Sequence, residues 1–93
     1  MNDHWEYLKI PKQVIKNKHL RATAKLLYGY LIFRQGGNSY SYWTINHMAE
    51  DTGTPYGTIR KDIRQLGACG YIEIKRTIRH KKRHNQYRVI GPR

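Results

Sequence analysis

The apolar pattern of this chain changes period at Tyr71. Before it, apolar side chains recur at three- and four-residue intervals, and after it they alternate. Helices followed by a two-stranded piece, in 93 residues, leave space for one small core and no second one. The expected fold is therefore α+β and mainly α: a single domain over 1–93, with a three-helix core and a C-terminal β-hairpin.

Residues 7–10 read as a short extended piece stopped by Pro11, and 12–18 as one or two helical turns. Leu20, Ala24, Leu27 and Leu31 share one helical face, which Leu26, Tyr30 and Phe33 widen over most of the circumference. This predicts the central helix, closed by Gly36 and Gly37. Residues 39–43, Ser-Tyr-Ser-Tyr-Trp, alternate and suit a short strand. Thr44 stands where an N-cap belongs, and Ile45, Met48 and Ala49 give a second helix its apolar side up to Gly53. Thr54 then caps a third helix over 55–69, with Pro55 in its first position and Ile59, Ile63 and Leu66 as its buried stripe. Gly67 and Gly70 bracket its end. Residues 71–77 and 86–90 are predicted strands, joined by a polar, basic tip at 78–85.

Charge narrows the choice of partner. Eighteen Lys and Arg against six Asp and Glu give +12 and a pI near 10.1. An excess of that size points to a polyanion. Residues 71–93 hold eight basic and one acidic side chain, against ten and five in 1–70, so the excess concentrates in the hairpin. The longest apolar run, 26–33, falls far short of the roughly 20 residues of a membrane span, so no membrane partner is expected. Residues 1–9 contain Asp3, His4 and Glu6 and lack a basic start and an apolar stretch, so no signal peptide is expected. The single Cys69 forbids an intrachain disulfide and fits a reducing, cytoplasmic setting.

Two short helices joined at a glycine and followed by a hairpin make a helix-turn-helix, over 44–69, with a wing at 71–90. Ala49 lies four residues before Gly53 and Ile59 six after it. The small residue lets the helices cross closely, and the later aliphatic locks the second helix to the core. Opposite Ile59 on the helical wheel lie Gly57, Lys61 and Arg64, flanked by Thr54, Arg60 and Gln65. Arg and Lys can reach guanine O6 and N7, Gln can pair with adenine, and Gly57 permits close approach. Asp62 falls toward the buried edge and is expected to be an internal salt-bridge partner. In the wing, Arg79, Lys81, Lys82 and Arg83 could neutralise phosphates, supported from the strands by Lys75, Arg76 and Arg88. His80 and His84 would add to those contacts as they protonate.

Ile10-Pro11, the run 20–28, Ala49-Glu50-Asp51-Thr52-Gly53, the run 58–66 and Gly70-Tyr71-Ile72 form one pattern. It resembles the winged helix-turn-helix domains at the N-termini of plasmid and phage replication initiators and related small regulators. The resemblance spans about residues 8–90. It implies a third helix in the major groove, falling here on 56–64 and so including Tyr56 and Thr58, and a wing on the backbone or minor groove at 79–84. The sequence departs from the family at Arg21, where a Ser or Thr usually caps the first long helix. It departs again at Thr52, in place of leucine, and at Thr54 and Pro55, in place of valine and serine. Those changes predict a turn with less buried apolar surface and a start of the recognition helix shifted by a residue.

The expected partner is double-stranded DNA, bound by a homodimer on palindromic sites, with Trp5 and Tyr7 of the N-terminal segment available for pairing. A basic face also fits a host protein or nucleoprotein complex that the chain would inhibit, or a structured RNA. Tyr40, Tyr42 and Trp43 could stack on unpaired bases, but their strand spacing favours the core. No metal or other cofactor is expected. His80 and His84 sit on a hairpin tip without a Cys-x-x-Cys partner. Nor is an enzyme expected: Glu50 and Asp51 are adjacent and point to different faces, Gly36-Gly37 lacks the Lys-Ser/Thr of a phosphate loop, and Cys69 reads as a buried or half-buried structural thiol.

Overall fold

A computed structural model of the chain describes residues 8–36, 44–79 and 82–92, and the side chains of these apart from 77–79 and 82–84. Pro11 starts α1 (Lys12–Ile15), a single turn, with its carbonyl accepting from the Val14 and Ile15 N–H groups at 3.0 and 3.1 Å. Next comes α2 (Ala22–Gln35), which buries Ala24, Leu27, Tyr28 and Leu31 along one side. Two further helices follow, α3 (Ile45–Thr52) and α4 (Tyr56–Ala68), and Cys69, at the C-cap of α4, is exposed where a buried or half-buried thiol was expected. The chain then forms an antiparallel hairpin of β1 (Ile72–Arg79) and β2 (Lys82–Val89). The fold is mainly helical α+β: three main helices, with the C-terminal hairpin packed on them, an arrangement consistent with a winged helix.

Local chemistry explains the boundaries. The Thr44 hydroxyl accepts the His47 N–H at 3.2 Å, capping α3 as its position in the sequence predicts. Gly53 ends α3 at φ 67°, a left-handed conformation that any side chain would strain. In the same turn the Thr52 hydroxyl donates to the Met48 carbonyl at 2.7 Å, so a polar residue settles where leucine would pack. The start of α4 differs from expectation. Pro55 is extended at ψ 145° and occupies the N-cap, so the helix begins at Tyr56 and Thr54 makes no cap hydrogen bond. Thr54 instead turns inward and is only 9% exposed, while its N–H closes the turn on the Ala49 carbonyl.

The hairpin also differs. Its ladder runs from Ile72 opposite Val89 to Arg79 opposite Lys82, through much of the segment expected as the basic tip. Ladder hydrogen bonds come from backbone groups, which His, Lys and Arg carry as well as Val does, so polarity alone did not mark a loop. The expected strand at 39–43 with Tyr40, Tyr42 and Trp43, the pairing residues Trp5 and Tyr7, and His80 and Lys81 lie outside the described residues.

Two polar clusters fix the hairpin and α3 against α2. Buried Gln35, at the end of α2, accepts the Val89 N–H at 2.7 Å. Tyr71 accepts from the Ile90 and Gly91 N–H groups through its carbonyl and from Asn17 through its hydroxyl, all at 3.0 Å. Across α2 and α3, Arg34 pairs with Asp51 at 3.0 Å, and the Tyr30 hydroxyl donates to the same carboxylate. Burial, with that hydrogen bond adding to it, pushes the Tyr30 hydroxyl up from 10.0 to about 12.

A tyrosine that ionises later in the folded chain stabilises the fold at every pH below its unfolded value and loses that contribution as the pH rises through its folded value. Chemical denaturation across pH 10 to about 12 should therefore show stability falling. The fall should be shallower in Tyr30→Phe. An unaltered pH profile in that variant would refute the assignment. In the core, Leu66→Ala, at a fully buried position, should cost about 2–5 kcal/mol in the same measurement.

Candidate nucleic-acid interface

Rotation of α4 about its own axis decides which residues reach solvent. Ile59, Ile63 and Leu66 pin one side to the core, each no more than 5% exposed. Their spacing turns Tyr56, Gly57, Arg60, Lys61 and Arg64 outward, and all five are exposed. Thr58 and Gln65 are half-buried at the edges, and Thr54 is buried at the junction before the helix. A Cβ built on Gly57 would meet nothing within 4 Å, so the helix presents bare backbone to open space at that position.

The face is positive without compensation. Asp62, the only acidic residue of α4, is 0% exposed. Neither of its carboxylate oxygens has a hydrogen-bond partner, and the salt bridge expected for it does not form among the described residues. Three cations therefore share the exposed stripe with no carboxylate among them.

One flank of α4 meets the hairpin. A Cβ on Gly67 would lie 3.6 Å from Ile74 Cδ1, so β1 passes this side of the helix. Strand alternation then sorts the wing. Ile72, Ile74 and Arg76 share the face turned to the helices, whereas Lys75 shares the other with Glu73. Directly opposite Glu73 in the ladder stands Arg88, also exposed and on that outer face. Arg76 is thus the described wing cation on the α4 side. Its neighbourhood is confirmed by buried Tyr87, whose hydroxyl accepts from Asn85 Nδ2 at 3.4 Å. Burial pushes that hydroxyl up, the hydrogen bond from Asn85 lowers it, Tyr56 raises it and Arg76 lowers it. Tyr56 of α4 and Arg76 of the wing thus both lie near enough to the Tyr87 hydroxyl to act on it electrostatically. The side chains of Arg79, Lys82, Arg83 and His84, like the whole of His80 and Lys81, lie outside the described residues.

The other flank carries a role that the sequence did not reveal. Gln65 donates its Nε2 to the His19 carbonyl at 2.5 Å and accepts the Arg21 N–H on Oε1 at 3.3 Å. Both ends of the amide are engaged by the loop between α1 and α2. A partner 44 residues away has no signature in local spacing.

Among the described residues no three His, Cys, Asp or Glu side chains gather as metal ligands, and no helix is long and apolar enough to cross a membrane. Compared with known proteins, the chain matches no family model, no curated protein and no solved structure.

Burying an unpaired carboxylate is unfavourable by several kcal/mol. Asp62→Asn keeps the shape and breaks no hydrogen bond of the carboxyl oxygens, so it should cost little stability in urea denaturation. A loss of stability would show that the carboxylate has a partner in the folded protein.

Proposed function

We propose that this chain is a winged helix-turn-helix domain that binds double-stranded DNA and reads its sequence with α4. The observation that carries the proposal is the exposed stripe of Gly57, Arg60, Lys61 and Arg64, from which the only carboxylate of the helix has been withdrawn into the core. A helix about 10–12 Å across fits a major groove about 12 Å wide. Lys61 and Arg64 then reach base edges, Tyr56 and Thr58 meet the sugar-phosphate border, and the bare backbone at Gly57 lets the first turn approach closely.

Arg76 and the basic end of the hairpin follow the backbone or minor groove beside it. The resemblance to the N-terminal domains of plasmid and phage replication initiators supports a regulator of a mobile element, bound as a homodimer to a palindrome.

Selection from a random duplex pool at about 150 mM salt tests this reading. An enriched inverted repeat supports a dimeric reader. Salt-sensitive binding without enrichment would refute sequence reading by α4, and would turn attention to an acidic protein or a structured RNA. On the selected site, Lys61→Ala or Arg64→Ala should lose about 1–3 kcal/mol of discrimination at one base pair. Gly57→Ala separates scaffold from interface. The added methyl meets open space in the free protein, so folding stability should rise by about 0.5–1 kcal/mol while DNA affinity falls. Unchanged affinity in that variant would place the first turn of α4 away from the duplex.

A further inference from the structure

The hairpin holds most of the charge in the C-terminal part of the chain, but there is a second positive pole. Residues 8–25 hold six Lys and Arg and no Asp or Glu. Within the connection between α1 and α2, Lys16, Lys18, His19 and Arg21 are all exposed.

This connection is built, not loose. Asn17 Oδ1 accepts the His19 N–H at 2.9 Å, and Asn17 Nδ2 donates to the Tyr71 hydroxyl at 3.0 Å. The Lys25 ammonium holds the Ile15 carbonyl at 2.6 Å, tying α1 down onto α2. Gln65 then joins the connection to α4 through its two hydrogen bonds, to His19 and Arg21. Those bonds use backbone groups of the loop and leave its cationic side chains in solvent.

The position follows from the helical wheel. Gln65 lies on one edge of the exposed stripe, next to Lys61, and Gly67, which faces β1, lies toward the other edge. The hairpin and the 16–21 connection therefore border α4 on opposite flanks. A helix that fills the major groove leaves one phosphate backbone on each side of it, so an element on each flank meets one backbone.

We infer that residues 16–21 form a second phosphate-binding rim, opposite the wing, in which Lys18 and Arg21 grip the duplex backbone bordering the major groove. Gln65 is the positioning residue that holds this rim against α4, and its amide does not read a base. The inference rests on the reading of α4 as the element in the groove.

The test compares wild type with Lys18→Gln/Arg21→Gln on the selected duplex and on unrelated duplexes, over a range of salt. Both residues are exposed, and thermal unfolding checks that the variant is folded. The expected result is weaker binding to all sequences alike, an unchanged base preference, and a log-affinity against log-salt slope smaller by about two, one for each lost phosphate contact. An unchanged slope, with Lys61→Ala still relaxing base preference, would overturn the rim and leave the α4 reading intact. Failure of the wild type to bind any duplex would overturn both.

Gln65→Ala gives a second, independent reading. Uniformly weaker binding with a reduced salt slope supports positioning. Loss of discrimination at one base pair overturns it.

Discussion

The packing of α4 against α2 is the contact from which the other surfaces take their positions. Ile59, Ile63 and Leu66 reach a core built on Ala24, Leu27, Tyr28 and Leu31, and this fixes the rotation of α4 about its axis. Each side chain buried this way contributes on the order of 1.5–3 kcal/mol. A rotation by one residue would bring Arg60 toward the core and expose Ile59, so the basic stripe and the apolar stripe specify each other. The hairpin takes its place from the same pair of helices. Gln35 on α2 holds Val89, and the space beside Gly67 on α4 admits Ile74.

Much of this was legible because it depends on local spacing. The stripe of α4, the cap at Thr44, the turn at Gly53 and the change to strand at Tyr71 each rest on residues within a turn or two of one another. A displaced start of the third helix was also legible from Pro55. Its direction was not, since the extended Pro55 and the inward Thr54 depend on how α3 and α4 pack. The length of the hairpin was misjudged for a different reason: side-chain polarity is a poor guide to a ladder made by the backbone. Gln65, Asp62 and the Tyr30–Arg34–Asp51 cluster were illegible as structures because each depends on where a distant element comes to lie. Gln65 is instructive. Its place at the edge of a polar face made it a base reader by composition, whereas its amide is engaged on both ends by a loop 44 to 46 residues away.

The carboxylates follow a pattern that their number alone conceals. Asp62 is buried, Asp51 is held by Arg34, Glu73 stands across the ladder from Arg88 on the outer face of the hairpin, and Glu50 projects from α3. None of these four shares the exposed stripe of α4 or the connection at 16–21. Among the described residues, that side of the molecule therefore carries cations without carboxylates. With Asp62 buried, the exposed stripe of Arg60, Lys61 and Arg64 carries no carboxylate.

Cations crowded on one folded surface repel one another, and the unfolded chain would relieve that repulsion by spreading them apart. A polyanion relieves it in either state, since an unfolded basic chain also binds polyanions. Net stabilisation by a partner therefore requires a difference between folded and unfolded binding. Charge content supplies none, because it is the same in both. Under the function proposed above, fixed spacing would: with α4 between two basic flanks, the folded chain would match a groove with a phosphate backbone on either side, and the disordered chain would have to pay the entropy of arranging itself to do so. The hydrogen bonds of Gln65 and the contact of Ile74 beside Gly67 are the local means by which that spacing is held.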